Sequence, residues 1–432
     1  MADAVADLLA FLDRSPTPYH AVAEARRRLE GQGYLEAPEA ELWELSPGDR
    51  RFAVRDGSLV AFQVGQEAPA AAGFRILAAH TDSPNLRLKP RADVAAHGYC
   101  QLAVEPYGGL LLHTWLDRDL SLAGRVVLRE GEALRPVLLD FARPLLRIPN
   151  LAIHLQRELK KEGLKLDEQV HLVPVAGLEG TPPLAELVAS ELRAQGRGAP
   201  EPRDLLAFDL MLYDVQPAAR AGARGEFLLA SRLDNLASCH AALGALARAA
   251  QAPLPPFTVA VVLYDHEEVG SRSLQGAAGT LLADALARMV EGFKGGAPQG
   301  LPRALARSTL ISVDMAHAVH PNYADRHEPG HRPRIGRGPV LKQNAGQSYA
   351  GDAATAGLFA ALCAECGIEP QVFVSRSDLP CGSTIGPITA ARVGIRTVDV
   401  GSPMLSMHSC REMAGSADVQ PMIEVLARFL RA

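Results

Sequence analysis

The chain has 432 residues, of which 48% are hydrophobic and 22% are charged, and its formal net charge is −5. This length favours two domains, and the slightly acidic balance excludes a large basic surface for nucleic acid. No apolar run approaches the roughly 20 residues of a membrane-spanning helix, so we expect no membrane partner.

The cysteine content and the N-terminal residues indicate a cellular compartment. Six cysteines in a chain of this length are too sparse for a disulfide scaffold. Residues 1–13 carry acids where a signal peptide carries a basic segment, and their apolar side chains recur at helical spacing. We therefore expect an N-terminal amphipathic helix and a cytoplasmic protein.

Strand and helix patterns alternate over two stretches of the chain. Apolar runs predict strands at 74–79, 257–263, 308–313, 371–374 and 395–400. Helical spacing predicts helices over 234–250, near 280–293, near 352–366 and from about residue 418. Such alternation predicts the α/β class, in the form of an α/β sandwich with a mixed central sheet.

The alternation stops between residues 89 and 225. Short apolar segments at 109–115 and 124–129 predict strands of a β-rich unit. Residues of the types that bind metals occur on both sides of this region, so the flanking parts have to form one domain. We therefore predict a main domain built from 1–88 and 226–432, interrupted by an inserted β-rich domain at 89–225.

Several predicted strands are followed by side chains of the types that bind metals. Residues at the carboxyl ends of strands in an open α/β sheet converge on one site, even when they are distant in sequence. Two histidines with several carboxylates suit zinc, cobalt or manganese better than magnesium or calcium, and the set suffices for two metals. The candidates are His80, Asp82, Asp234, Glu267, Glu268, Asp314 and His408.

Two neighbouring metals need a bridging ligand, and a carboxylate has two oxygens to share. Asp234, where a predicted helix begins, is our candidate for the bridge, although an N-cap role is the alternative. We assign His80 and Asp314 to one metal, and Glu268 and His408 to the other. For His408, the alternative is a histidine of the core or of a loop that binds no metal.

Glu267 and Glu268 are adjacent at the end of the strand predicted over 257–263. Neighbouring side chains of an extended segment point to opposite sides, so the two glutamates can have different roles. We predict that Glu268 binds a metal and that Glu267 is the general base for the attacking water. Asp82, two residues after His80, is placed to accept a hydrogen bond from its imidazole. A solvated acidic turn is the alternative for the glutamate pair.

Seven sequence motifs follow one another in a recognisable order, at 15–20, 80–90, 115–125, 146–155, 234–238, 265–271 and 407–414. They include His-Thr-Asp at 80–82, Asp-Asn at 234–235 and His-Glu-Glu at 266–268. In these motifs, from near residue 8 to the C-terminus, the chain resembles the aspartyl aminopeptidase family of metallopeptidases, which includes yeast vacuolar aminopeptidase I.

The resemblance implies a di-zinc exopeptidase that removes one N-terminal residue from peptide substrates. It also implies that the main domain is catalytic, that the inserted domain mediates dimerisation, and that the subunits form a tetrahedral homododecamer. A histidine from a neighbouring subunit reaches the substrate in this family, and it corresponds to His154. The metal ligands that the resemblance implies are His80, Asp234, Glu268, Asp314 and His408. The implied general base is Glu267, and the aspartate that orients a histidine is Asp82.

One position departs from the aspartyl-specific pattern of the family. Those relatives place a lysine before a Gln-x-Tyr-Ala motif, where it faces an acidic first residue, but the matching residue here is Gly346. A buried carboxylate without a cation is costly, so an acidic preference stays open. Lys342 and Arg376 are the nearby cations that can restore it. We predict that these three residues and Tyr349 bind the substrate.

The sequence thus predicts a cytoplasmic metalloaminopeptidase with two zinc ions, for which cobalt or manganese can substitute, and a dimeric and dodecameric assembly. Two alternatives stay open. An N-acyl amino acid deacylase would use similar metal chemistry on substrates that lack a free α-amine. A self-assembling shell or cargo-binding protein would hold metals that are only structural.

Overall fold

The computed structural model describes residues 3–293 and 298–432, and these residues form two compact units. The first unit contains Met1–Asp82, Ala218–Met407 and Glu412–Ala432, and the second contains Ser83–Pro217 and His408–Arg411. The sequence places the corresponding boundaries near residues 88 and 225. The sequence does not predict that His408–Arg411 belongs to the second unit.

A mixed sheet of nine strands, counted over the described residues, forms the centre of the first unit. Its central strands are parallel neighbours, and antiparallel pairs occur toward both edges. In sheet order the strands are Leu35–Glu36, Arg50–Arg55, Ser58–Gln63, Thr258–Tyr264, Phe74–His80, Thr309–Val313, Arg396–Gly401, Val340–Gln343 and Gln371–Val374. A smaller sheet of the same unit contains Ala219–Ala221, Phe227–Ala230, Glu412–Gly415, Pro403–Leu405 and Ala316–His317.

Parallel register brings the ends of three central strands to the same edge of the nine-stranded sheet. Tyr264, the last residue of its strand, lies opposite His80, and Ser312 lies opposite Ala78. The chain therefore leaves the sheet at neighbouring points after residues 80, 264 and 313. The functional site is built at this edge.

Helices cover both faces of the nine-stranded sheet. Along the strand Phe74–His80, Leu77 and Ala79 pack in one apolar cluster, whereas Ile76 and Ala78 pack in another. Because alternate side chains of a strand point to opposite faces, the two clusters lie on opposite sides of the sheet. The predicted α/β sandwich with a mixed central sheet is confirmed.

The helices predicted from apolar spacing are all present. Asp3 caps the first of them, because its Oδ1 accepts a hydrogen bond from the backbone N–H of Val5 at 3.0 Å. Across the described residues, no helix is both long and apolar enough to span a membrane. The helices of the first unit are Ala4–Asp13, Pro18–Glu30, Pro69–Ala72, Leu233–Ala249, Leu281–Gly292, Gly300–Ala306, Ala353–Glu365, Ile385–Val393 and Val419–Phe429.

The second unit contains an antiparallel sheet, with six strands among the residues described. In sheet order they are Ala133–Asp140, Leu120–Glu130, Leu205–Asp214, Asn85–Ala96, Tyr99–Tyr107 and Val175–Leu178, and the α-helices are Leu159–Glu162 and Leu184–Ala194. The strand predicted at 109–115 is wrong, because Leu112–Trp115 form a short 3-10 helix. A short apolar run fits a strand or a buried turn equally well, and Trp115 is buried in the core of this unit.

Gly401→Ala tests the close packing beside the strand Thr309–Val313. A Cβ at position 401 would lie 1.9 Å from the carbonyl oxygen of Asp314, where no real carbon can fit. We expect the substitution to lower the free energy of unfolding by about 1–3 kcal/mol, because overpacking forces the backbone to shift. Differential scanning calorimetry would detect the change as a lower Tm.

Gly357→Ala is the matched control for this substitution. Gly357 is exposed within the helix Ala353–Glu365, and a Cβ there would meet no atom within 4 Å. Alanine stabilises a helix relative to glycine by about 1 kcal/mol, so the control should melt at the same or a higher temperature. Equal Tm values for the two variants would contradict the strain expected at Gly401.

Candidate metal centre

Four of the five predicted metal ligands converge at the sheet edge of the first unit. The Nε2 of His80 lies 3.6 Å from Oδ1 of Asp234 and 3.4 Å from Oδ1 of Asp314. Ligand atoms of His80, Asp234 and Glu268 all lie within 4.8 Å of one another. His80 and both aspartates are buried, whereas Glu268 is half-buried. Residues separated by more than two hundred positions in sequence thus form one cluster.

His80 has the surroundings of a metal-binding imidazole. Its Nδ1 lies 3.0 Å from the carbonyl oxygen of Asp82, a contact that fixes the ring and directs Nε2 toward Asp234 and Asp314. Burial opposes a charge on the ring, but hydrogen bonds to Asp314 and Asp82 hold the pKa of His80 well above its ordinary value. The carboxylates thus require positive charge at this position. A zinc ion would supply this positive charge, and imidazole and carboxylate groups are donors that zinc accepts.

Lys342 supplies a second positive charge to the cluster. Its Nζ donates to Oδ2 of Asp314 at 3.1 Å and to the carbonyl oxygen of Met315 at 3.2 Å, and only 2% of the residue is exposed. Burial alone would raise the pKa of Asp314, but Lys342 and His80 together lower it below its ordinary value. Asp314 is therefore ionised, with one oxygen toward His80 and the other toward Lys342.

Asp82 has a role that its sequence position did not indicate. Its two carboxylate oxygens accept the backbone N–H groups of Glu267 and Glu268, each at 3.1 Å. Its Oδ1 also lies 3.4 Å from Nδ1 of His80, which is the neighbour expected from the sequence. The side chain is fully buried. Asp82 therefore fixes the turn that carries both glutamates as well as standing beside His80.

Glu267 lies in the short 3-10 helix Glu267–Val269, which follows the strand Thr258–Tyr264. His266 and Gly270 on either side of this helix have left-handed φ angles of 63° and 92°. Burial raises the pKa of Glu267 to about 8, while His80 opposes this shift and Asp314 adds to it. Such a pKa lies near the value at which a group can both take and return a proton at neutral pH.

Asp234 is positioned by contacts at the irregular start of the helix Leu233–Ala249, where Asp234 and Asn235 have non-helical backbone angles. Its backbone N–H donates to Oε2 of Glu412 at 3.1 Å, and the Asn235 amide donates to the carbonyl oxygen of Val313 at 2.9 Å. Glu412 is only 2% exposed. Glu412 was not among the predicted site residues, although its position inside the motif at 407–414 was an available signal.

Two predicted site residues, His408 and His154, belong to the second unit. The Nδ1 of His408 lies 2.9 Å from the carbonyl oxygen of Gly109. As at His80, a contact of Nδ1 with a carbonyl makes Nε2 the ligand-type nitrogen. His154 is exposed in the short 3-10 helix Ile153–Leu155. The roles of His408 as a metal ligand and of His154 at the substrate stay predictions.

All four predicted substrate-binding residues line one cavity of about 600 Å³ in the first unit. Lys342 belongs to the strand Val340–Gln343, Gly346 and Tyr349 follow that strand, and Arg376 follows the edge strand Gln371–Val374. The Nζ of Lys342 lies 5.0 Å from the centre of the Tyr349 ring. Because Lys342 also contacts Asp314, this cavity adjoins the cluster of metal ligands.

The α/β sandwich and the ligand cluster at its sheet edge define a class of metallopeptidase. A family model described as Aminopeptidase I zinc metalloprotease (M18) matches residues 11–430. The chain therefore belongs to the M18 family of zinc aminopeptidases, which are hydrolases. This membership confirms the resemblance found in the sequence.

Similar proteins cover nearly the whole chain. A probable M18 family aminopeptidase 2 of Streptomyces coelicolor is 48% identical over 98% of this chain and 97% of its own length. A chain in the cryo-EM structure of the Ape4 and Nbr1 complex is 38% identical, with a TM-score of 0.95 over 99% of this chain and 85% of its own length. A chain of the S. cerevisiae mApe1 dodecamer is 30% identical, with a TM-score of 0.84, and the match covers 99% of this chain and 96% of that one.

Asp82→Asn tests whether this carboxylate fixes the glutamate turn. The amide has one acceptor oxygen where two backbone N–H groups need acceptors, so one of them would face an NH2 group. We expect at least a tenfold loss of kcat and a zinc affinity about 10–100-fold lower, as for other losses of outer-shell partners. Kinetics on an amino-acid arylamide and zinc titration would measure the two effects.

Glu67→Gln is a control that removes one negative charge from an exposed position of the same unit. It should change neither kcat nor zinc affinity. If Asp82→Asn behaved like this control in both measurements, Asp82 would not be a positioning residue for the glutamates.

Proposed function

We propose that the chain removes the first residue of peptides at a site for two zinc ions, with cobalt or manganese as substitutes. The observation that carries the proposal is the convergence of ligand atoms from His80, Asp234 and Glu268 within 4.8 Å. Asp234 is the proposed bridge, with His80 and Asp314 on one ion and Glu268 on the other. The sequence resemblance adds His408 as the remaining ligand.

The residues around the cluster have the properties that peptide hydrolysis requires. When bound, zinc polarises a peptide carbonyl and makes water more acidic. Glu267 takes a proton from the attacking water and returns it to the leaving amine. Asp82 holds the backbone of Glu267, so the carboxylate keeps its position while it exchanges the proton. Lys342 balances the charge on Asp314.

The position and pKa of Glu267 favour the interpretation that the metal site is catalytic rather than purely structural. It is adjacent to the proposed ligand Glu268, it is half-buried, and burial raises its pKa to about 8. A structural zinc site is closed by its ligands and has no use for an extra carboxylate of this kind. The shell or cargo-binding alternative therefore has less support than hydrolysis.

We also propose assembly into dimers and a homododecamer through the second unit. Within it, the segment 151–170 exposes several large apolar side chains, which are Leu151, Ile153, Leu155, Leu164 and Val170. Exposed apolar groups concentrated in one segment are typical of an interaction surface. The structurally similar mApe1 of S. cerevisiae is a dodecamer. The exposed His154 in this segment is the proposed contribution of one subunit to a neighbour's substrate.

A cytoplasmic location is part of the proposal. None of the six cysteines forms a disulfide, which suits a reducing compartment. A preference for acidic first residues is not part of it, because Lys342 and Arg376 already form ion pairs with Asp314 and Asp378.

Glu267→Gln and Glu268→Ala test the division of roles between the two glutamates. We expect Glu267→Gln to keep its zinc and to lose about 10²–10⁴-fold in kcat, because the amide cannot take a proton. We expect Glu268→Ala to lose zinc as well as activity. Zinc content by atomic emission and kcat on leucine arylamide would be measured for both. Full activity of Glu267→Gln with zinc bound would exclude it as the base.

Removal of the substrate's free amine separates an aminopeptidase from a deacylase. We expect zinc-loaded protein to release arylamine from leucine arylamide and to release none from its N-acetylated form. Chelation should abolish the activity, and zinc should restore it. Release of acetate from N-acetyl-leucine at a comparable rate would favour the deacylase alternative.

A further inference from the structure

The cavity of about 600 Å³ beside the metal ligands has the size of a side-chain or small-ligand site. Lys342 lines this cavity and donates to Asp314, so the cavity begins one side chain away from the ligand cluster. A peptide whose first carbonyl lay at the cluster would have its first side chain within reach of this space. With the first side chain in this space, the charges of the lining residues would affect which first residues bind.

Lys342 is not available to an incoming carboxylate. Its Nζ already donates to Asp314 at 3.1 Å and to the carbonyl of Met315 at 3.2 Å, and the residue is 2% exposed. A substrate carboxylate that drew Lys342 away would leave Asp314 as a buried charge without that partner. Such an exchange gains one ion pair and loses another, so it gives an acidic substrate no advantage.

Arg376 is likewise engaged by other groups. Its Nε and Nη2 donate to the two carboxylate oxygens of Asp378 at 2.8 and 2.7 Å, and its Nη1 donates to the carbonyl oxygen of Asp325 at 2.6 Å. The bidentate pair places the carboxylate of Asp378 against this guanidinium, so an acidic substrate side chain would have to compete with it. Among the described residues that line the cavity, Lys342 and Arg376 are the only cationic side chains.

The remaining wall is neutral or negative. Apolar contacts come from Val374 and Leu379, and neutral polar groups come from Tyr349 and from Cys381, whose Sγ accepts a hydrogen bond from Ser375 at 3.2 Å. The lining also contains the carboxylate of Asp352. An acidic side chain entering this space would lose water without gaining a cation, whereas a neutral side chain would not incur that cost.

We infer that this cavity makes the enzyme selective for peptides whose first residue is neutral, and that it disfavours Asp and Glu at that position. The inference rests on the proposed aminopeptidase function and adds the substrate class to it. Gly346 is the residue at which the selectivity can be changed. It is exposed on the cavity wall, and a Cβ there would meet only Oδ1 of Asn344, at 3.1 Å.

Matched pairs of substrates test the selectivity without a change of size. Arylamides of Gln and Glu, and of Asn and Asp, would be assayed with the zinc-loaded protein at pH 7. We expect kcat/KM at least tenfold higher for the neutral member of each pair. A higher value for Glu and Asp would overturn the inference and leave the aminopeptidase function standing. No cleavage of these four or of leucine arylamide would overturn both.

Gly346→Lys and Gly346→Met test whether this cavity holds the first side chain. The two new side chains are similar in length, but only lysine adds a charge at the wall. We expect the ratio of kcat/KM for Glu to that for Gln to be at least tenfold higher in Gly346→Lys than in Gly346→Met. Equal ratios in two variants with normal Tm and zinc content would show that the side chain binds elsewhere and would overturn the inference.

Discussion

Mutual repulsion among buried carboxylates is the constraint on which the rest of the site depends. Asp82, Asp234 and Asp314 are all nearly inaccessible, and all three lie around His80. Buried charges of one sign are tolerated only when donors or cations compensate them. Backbone N–H groups compensate Asp82, and Lys342 compensates Asp314. Zinc bound at the proposed site would supply the positive charge that is still required.

This compensation links the metal centre to substrate choice. Lys342 lies between the ligand cluster and the cavity, and its ammonium group forms an ion pair with Asp314. Lys342 keeps the proposed metal ligand Asp314 ionised, and an ammonium group bound in this way is not available to neutralise a substrate carboxylate. The proposed discrimination against acidic first residues therefore depends in part on the same ion pair that keeps Asp314 ionised. Acidic selectivity would need a further cation on the cavity wall.

The sequence predicted the sheet strands and the ligand types because both leave local signals. Apolar runs mark buried strands, and the residues after them fall at one edge of a parallel sheet. The contacts of Lys342 with Asp314 and of Glu412 with Asp234 join distant segments, so no local pattern of residues predicts these two pairings. The strand prediction at 109–115 was wrong for another reason. The apolar residues there fit a strand as well as they fit the 3-10 helix that buries Trp115.

The way in which Glu267 is held bears on how the proposed general base can lie beside the proposed metal ligand Glu268. A base that was fixed by an ion pair would have its proton affinity reduced by its partner. Here the contacts with Asp82 are made by the backbone N–H groups of both glutamates, so neither side chain is needed to fix the turn. Burial then raises the proton affinity of Glu267. Two adjacent residues of one turn can in this way differ in function, although the same carboxylate, that of Asp82, fixes the backbone of both.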